Sequence, residues 1–286
     1  MKNLTSPSVI KEILAKHQTT FSKSLGQNFI INPGICPKIA EMGNAKEGFG
    51  ILEIGTGIGV LTAELAKRAQ KVVAIEIDSS LIPILNETLS EFDNIEIINE
   101  DFLKVDVKKL IEEKFKGLDV AVCANLPYYI TSPIIMELLE NKPGIKSITV
   151  MVQKEAAKRL CAPLKTKEAG AISIAVNYYS IPKILFNVSR GSFLPAPNVD
   201  SCVIRFDVRE KPPIDVCDEK LFFKVSRAGF EQRRKTLLNA LSSVLKIEKE
   251  TIKNALVYCD LKQTARAEEL TLKNFADLTE FLKDKI

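Results

Sequence analysis

The sequence predicts an α/β protein, a doubly wound domain with a mostly parallel sheet of about seven strands, followed by a small all-helical domain. Three observations predict it. Apolar runs of strand length alternate with helical patterns from about residue 50. The alternation continues to about residue 210, with the last two strand patterns close together in sequence. Beyond Lys211-Pro212-Pro213 strand patterns vanish and only helical periodicity remains. The expected domains are therefore 1–210 and 211–286.

The elements follow in order. GILEIG reads as a strand, VLTAELAKRA as a helix, KVVAIEI as a strand, SSLIPILNETLSEF as a helix and NIEIINED as a strand. A helix (VDVKKLIEEKF), a strand (LDVAVCAN), a helix (SPIIMELLEN) and a strand (IKSITVMVQ) come next. EAAKRLCA and AGAISIAVNYYS look helical, and ILFNVS and VDSCVIRFDV are expected to run antiparallel at a sheet edge. In the last quarter LFFKVSRAGFEQRRKTLLNALSSVL, KETIKNALVYC and the residues around AEELTLKNFADLTEFLKDK carry helical periodicity.

Composition narrows the class. Of 286 residues 46% are hydrophobic and 27% charged, enough for a packed core. No apolar run reaches the ~18 residues of a membrane helix. MKNLTSPSVIKEILAKHQ lacks the apolar block of a signal peptide. Six cysteines, at 36, 123, 161, 202, 217 and 259, form no C-x-x-C pair and read as reduced thiols. The single histidine, His17, leaves no Cys/His cluster, so neither a metal site nor a histidine base is expected. Together these point to a cytoplasmic protein.

Net charge is only +4, but cations cluster. Residues 1–40 hold five lysines against Glu12. Lys154, Lys158, Arg159, Lys165 and Lys167 stand against Glu155, and Lys224, Arg227, Arg233, Arg234 and Lys235 against Glu231. Each cluster alone reads as a solvated face. Three together predict a polyanionic partner, because neutralising phosphates needs grouped cations.

The first strand runs into Glu53-Ile54-Gly55-Thr56-Gly57-Ile58-Gly59, and a helix starts directly after. Glycines allow a tight turn and close approach of a ligand to the backbone. Glu76 ends the second strand, 21 residues after Gly55, where an acid can accept both ribose hydroxyls of a nucleoside. Asp101, after the third strand, can accept from an adenine amine. The spacing G-x-G-x-G is not the G-x-G-x-x-G of dinucleotide sites. The set is similar to the ligand site of S-adenosylmethionine-dependent methyltransferases, whose cofactor is a nucleoside without phosphates. Gly55, Gly57, Glu76 and Asp101 are its candidate residues.

The fourth strand ends in Asn125-Leu126-Pro127-Tyr128. The exocyclic amine of adenine is a poor nucleophile because its lone pair is delocalised into the ring. The Asn125 side-chain oxygen and the Leu126 carbonyl can each accept one N–H, which favours a pyramidal nitrogen. Pro127 fixes the backbone that carries the Leu126 carbonyl, and Tyr128 can stack on the base. Catalysis is then chiefly positioning.

Four ordered motifs carry a more specific resemblance. N-L-P-Y resembles the motif of amino-methyltransferases. Ser24-Leu25-Gly26-Gln27-Asn28-Phe29-Ile30, the stretch Phe193 to Ser201 (FLPAPNVDS), and Phe230-Glu231-Gln232-Arg233-Arg234-Lys235-Thr236-Leu237 resemble signatures of the ribosomal RNA adenine dimethyltransferases. The resemblance implies that Asn28, Ile30 and Asn125 also touch S-adenosyl-L-methionine. It implies that Phe193 covers the second face of a flipped adenine. It further implies a catalytic domain over 1–210 and an RNA-binding domain over 211–286, with Lys154, Lys158, Arg159, Arg233, Arg234 and Lys235 gripping RNA. The family's small-subunit type dimethylates two adjacent adenines in the 3′-terminal hairpin of 16S RNA. The expected partner is thus a small-subunit assembly intermediate, met by a monomer without metal or membrane. The alternatives are a resistance-type enzyme acting on 23S RNA and a non-catalytic ribosome assembly factor.

Overall fold

A computed structural model describes residues 3–22, 25–141 and 144–286. Ser24 of the N-terminal motif lies outside the described residues. One sheet holds seven strands: β1 (Phe49–Ile54), β2 (Lys71–Glu76), β3 (Ile95–Asn99), β4 (Asp119–Asn125), β5 (Ile145–Gln153), β6 (Ser180–Val188) and β7 (Ser201–Val208). Their order is β3-β2-β1-β4-β5-β7-β6. The first five run parallel, as their near-continuous apolar runs require when helices cover both faces. β7 is antiparallel to β5, from Ser147 opposite Asp207 to Gln153 opposite Ser201. β6 is outermost, and as an edge strand it tolerates Pro182.

Ile51, Val72 and Ala121 of the sheet are buried against Ile39, Leu61 and Leu65 of the helices Ile35–Met42 and Val60–Ala66. Each buried Val, Leu or Ile of this set contributes about 1.5–3 kcal/mol when withdrawn from water. A two-residue ribbon pairs Phe29–Ile30 with Phe193–Leu194, antiparallel. β1 has β2 on one side and β4 on the other, so the winding direction reverses there. The crevice beyond the carboxyl ends of β1 and β4 is where such sheets hold ligands.

The chain forms two compact units, residues 1–157 with 182–208, and residues 158–181 with 209–286. The second contains the helices Ala171–Tyr179, Glu219–Glu231, Leu237–Leu245, Lys249–Tyr258 and Leu272–Leu282. Its core is aromatic. Tyr178 lies 5.3 Å from Phe222 and 5.4 Å from Phe223 between ring centroids, and Phe230 lies 5.9 Å from Phe275. Tyr179 Oη donates to Glu219 Oε1 at 2.7 Å. Residues 158–181, which the sequence reading grouped with the first domain, thus pack with the C-terminal helices.

The helical periodicity of LFFKVSRAGFEQRRKTLLNALSSVL is interrupted in the structure, which divides it into two helices. Gln232 leaves the helix at φ −113°, ψ 70°, and Thr236 enters the next one extended at φ −66°, ψ 155°. Arg233, Arg234 and Lys235 occupy the turn between, closed by Lys235 N–H donating to the Gln232 carbonyl at 2.8 Å.

Candidate active site

The carboxyl ends of β1, β2 and β4 open into a cavity of about 110 Å³. Asn28, Ile30, Gly55, Gly57, Glu76, Asp101, Asn125, Leu126, Pro127 and Tyr128, all read from sequence, line it. Gly55 and Gly57 take φ +75° and +58°, left-handed values that a side chain would strain. A Cβ on Gly57 would also lie 3.2 Å from the Phe29 ring.

Glu76 is buried beneath the loop. Its Oε2 accepts from Gly57 N–H and from the Thr56 hydroxyl, both at 3.0 Å, and its Oε1 accepts from Asp78 N–H at 3.0 Å. Burial raises its carboxyl above the usual range, against these three hydrogen bonds. Asp101 stands at the rim, with Oδ1 accepting from Leu103 N–H at 3.1 Å.

The acceptor end is built on β4. Asn125 Nδ2 donates to the Asn28 carbonyl at 3.3 Å, which orients the amide. Asn28 Nδ2 in turn donates to the Gly26 carbonyl at 2.8 Å. Leu126 N–H donates to the Met151 carbonyl at 3.2 Å, and Pro127 sits at φ −56°, ψ 132°. Tyr128 Oη and Ser201 Oγ lie 2.8 Å apart, so the ring is pinned to β7. Burial raises the Tyr128 hydroxyl's pKa, which keeps it neutral.

Phe193 does not reach the cavity. It is 2% exposed within the core cluster that contains Ile30, Val188 and Val203, and it faces Ile30 across the ribbon. The ribbon pairing with Ile30 turns its ring inward, away from this cavity.

Glu53 was missed as a site residue. It lines the cavity at 1% exposure, and its Oε2 has no hydrogen-bond partner. Burial pushes its carboxyl up to about 8, with the Glu76 charge adding to the effect and Thr62 opposing it. A lone acid inside the apolar run GILEIG was the available signal. Tyr129, also missed, stands at the cavity wall.

Among the described residues the lining contains four carboxyl groups, Glu53, Glu76, Glu100 and Asp101, and no lysine, arginine or histidine. This donor set fits a positively charged nucleoside and offers no side chain to balance a phosphate.

The basic candidates lie elsewhere. Lys154, Lys158, Arg159, Arg233, Arg234 and Lys235 are exposed. Lys154 belongs to the first unit. In the second unit Arg159 and Arg233 share a groove of about 370 Å³ with Arg227, and Arg233 Nη2 donates to the Lys167 carbonyl at 3.2 Å. His17 is a structural link, its Nε2 2.8 Å from Glu87 Oε2. Among the described residues no group of three or more His, Cys, Asp or Glu could hold a metal, and no helix is long and apolar enough to cross a membrane.

The sequence is similar over its whole length to known proteins. The Ribosomal RNA small subunit methyltransferase A of Alkaliphilus oremlandii is 50% identical, covering 100% of both chains. That of Clostridioides difficile is 46% identical, covering 100% of this chain and 99% of the other. Among solved structures, a dimethyladenosine transferase from Plasmodium falciparum has a TM-score of 0.73 at 28% identity, covering 90% of this chain and 98% of its own. The 23S rRNA methyltransferase ErmE has a TM-score of 0.66 at 25% identity, covering 90% and 100%. The family model for ribosomal RNA adenine dimethylase matches residues 18–284, and the chain therefore belongs to the ribosomal RNA adenine dimethylase family.

Proposed function

We propose that this protein dimethylates the exocyclic amines of two adjacent adenosines in the 3′-terminal hairpin of 16S rRNA, using S-adenosyl-L-methionine, during small-subunit assembly. One observation carries the reading. A cavity lined, among the described residues, by four carboxyls and no basic side chain adjoins Asn125-Leu126-Pro127-Tyr128 at the end of β4. The full-length identity to small-subunit methyltransferases favours that substrate over large-subunit RNA.

When bound, S-adenosyl-L-methionine supplies a methyl group made electrophilic by a positively charged sulfur. Glu76 and Asp101 would hold its ribose hydroxyls and base amine, and Gly55, Gly57, Asn28 and Ile30 would form the wall. The Asn125 amide, with Nδ2 committed to Asn28, presents Oδ1 as an acceptor. Asn125 Oδ1 and the Leu126 carbonyl hold the two amine N–H bonds of a flipped adenine. Tyr128, fixed through Ser201, stacks on the ring. The reaction needs placement more than a strong base.

The exposed cations, Lys154, Lys158, Arg159, Arg233, Arg234 and Lys235, grip phosphates and so position the RNA without reading its sequence. Residues 1–210 carry the catalytic work and 211–286 assist RNA binding. We infer a monomer acting in the cytoplasm; six scattered cysteines without a C-x-x-C pair support the compartment.

The test is methyl transfer from labelled cofactor to undermethylated small subunits, naked small-subunit RNA and large-subunit RNA, with modified positions mapped by reverse-transcription stops. Label at two adjacent adenines near the small-subunit 3′ end is expected. Label at a single large-subunit adenine would overturn the substrate assignment, and cofactor binding without label on any RNA would favour an assembly factor.

A further inference from the structure

The two consecutive tyrosines after Pro127 have opposite environments. Tyr128 is tied to Ser201 through its hydroxyl. Tyr129 is 59% exposed, among the most exposed large apolar side chains of the molecule, although it lines the wall of the cavity. No hydrogen bond of its hydroxyl occurs among the described residues. Both tyrosines sit in the single 3-10 turn Tyr128–Ile130, so the backbone that fixes one also fixes the other. On one side the Tyr129 ring lies along the backbone of Gly26: a Cβ built there would be 3.7 Å from Cδ1 and 3.8 Å from Cε1. Gly26 belongs to the segment whose Asn28 carbonyl accepts from Asn125. Tyr129 therefore lies on the cavity wall against the segment that the Asn125 amide holds.

A large aromatic side chain held in water on a fixed turn buries little of its own surface, so its position is not explained by the core. It presents a flat apolar surface and a polar tip at the mouth through which a flipped base must pass. An RNA strand that sends one base into the pocket brings the next base to the rim, already unstacked on one side. An aromatic ring there replaces the lost stacking partner, and it does so for any base.

We propose that Tyr129 is a stacking platform for the nucleotide next to the adenine being methylated. The proposal rests on the reading that the substrate is an RNA strand with two adjacent target adenines. With such a substrate the platform takes one adenine while the pocket takes the other, and the same ring serves when the two exchange places. Tyr129 thereby favours a strand whose neighbour can leave its own stack.

The test uses the full chain and undermethylated small subunits, with Tyr129→Ala and Tyr129→Phe beside wild type. KM for subunits, kcat and the Kd of S-adenosyl-L-methionine are measured for each. Loss of one base–aromatic stack predicts a KM for Tyr129→Ala raised by about fivefold to a hundredfold, with Tyr129→Phe within about twofold of wild type. The cofactor Kd is expected to be the same for all three. An unchanged KM in Tyr129→Ala, with wild type labelling two adjacent adenines, overturns the platform alone. Cofactor affinity falling as far as KM rises also overturns it, because the ring would then be a brace for the Gly26 segment. Wild type that labels no adjacent adenines overturns the functional reading, and the platform falls with it.

Discussion

Glu76 Oε2 accepts from the backbone N–H of Gly57 at 3.0 Å, so the acid that ends β2 also holds the glycine loop that follows β1. One carboxylate thus shapes the loop and lines the cavity. Glu76→Ala leaves Gly57 N–H, the Thr56 hydroxyl and Asp78 N–H without their acceptor. Each unsatisfied group costs about 1–3 kcal/mol, and a lost charged hydrogen bond to the ligand weakens binding about tenfold or more. Calorimetric titration with S-adenosyl-L-methionine and thermal melting should show both losses together. A variant with normal affinity would remove Glu76 from the ligand's reach.

Asn125→Ala removes one of the two acceptors for the amine without touching the exposed cations. Methyl transfer in a single turnover should fall by at least about a hundredfold, the scale of a misplaced reacting group. RNA affinity should stay near wild type. Turnover retained with RNA binding lost would sink the catalytic role of Asn125.

Glu53 gives the protein a predictable pH response. Its carboxyl has an ordinary value of 4.5 and a folded value of about 8. The contribution to stability is whole below the lower value and is lost as pH rises towards the higher, because the unfolded chain ionises first. Glu76, raised by burial, acts in the same direction. Glu53→Gln should therefore gain stability relative to wild type as pH rises from 4.5 to about 8, and keep that gain above it, in urea unfolding. A difference that stays constant with pH would show that Glu53 does not titrate in this window.

Gly50 in β1 faces the Phe115 ring, which occupies the space of a side chain. Gly50→Ala should cost about 1–3 kcal/mol by overpacking, read as a lower urea midpoint at unchanged slope.

Neutralising Arg233, Arg234 and Lys235 together should weaken RNA binding and lower the slope of log K against log salt by about two to three. The same slope in the triple variant would take this turn out of the RNA interface.

Most of the sheet could be read from sequence because each strand carries its own signal. The runs at 50–54, 71–76 and 119–125 are apolar and end in Gly55, Glu76 and Asn125, residues out of place in a strand interior. The cavity lining was legible for the same reason, since parallel strands deliver their last residues to one edge. The direction of Phe193 was not legible because its motif shows only that an aromatic is present, while its orientation depends on a two-residue pairing with Ile30 across more than 160 positions. The break at Arg233 was invisible because Gln, Arg and Lys are all good helix formers, and the turn is set by the packing of the flanking helices. Glu53 carried one local signal, a lone acid in the apolar run GILEIG, but its complete burial depends on the neighbouring strands and helices. The helix Ala171–Tyr179 has partners about forty positions away, beyond any periodicity.

That last separation sets a schedule for the newborn chain. Tyr179 leaves the site of synthesis 40 residues ahead of Glu219, its hydrogen-bonding partner, and Tyr178 precedes Phe222 by a similar interval. At about 5–20 residues per second the wait is roughly 2–8 s. Through those seconds the helix has β5 already made behind it and none of its own aromatic cover ahead. The growing polypeptide then exposes this apolar face, and a stall in translation between residues 180 and 219 would lengthen that exposure more than a stall after residue 231.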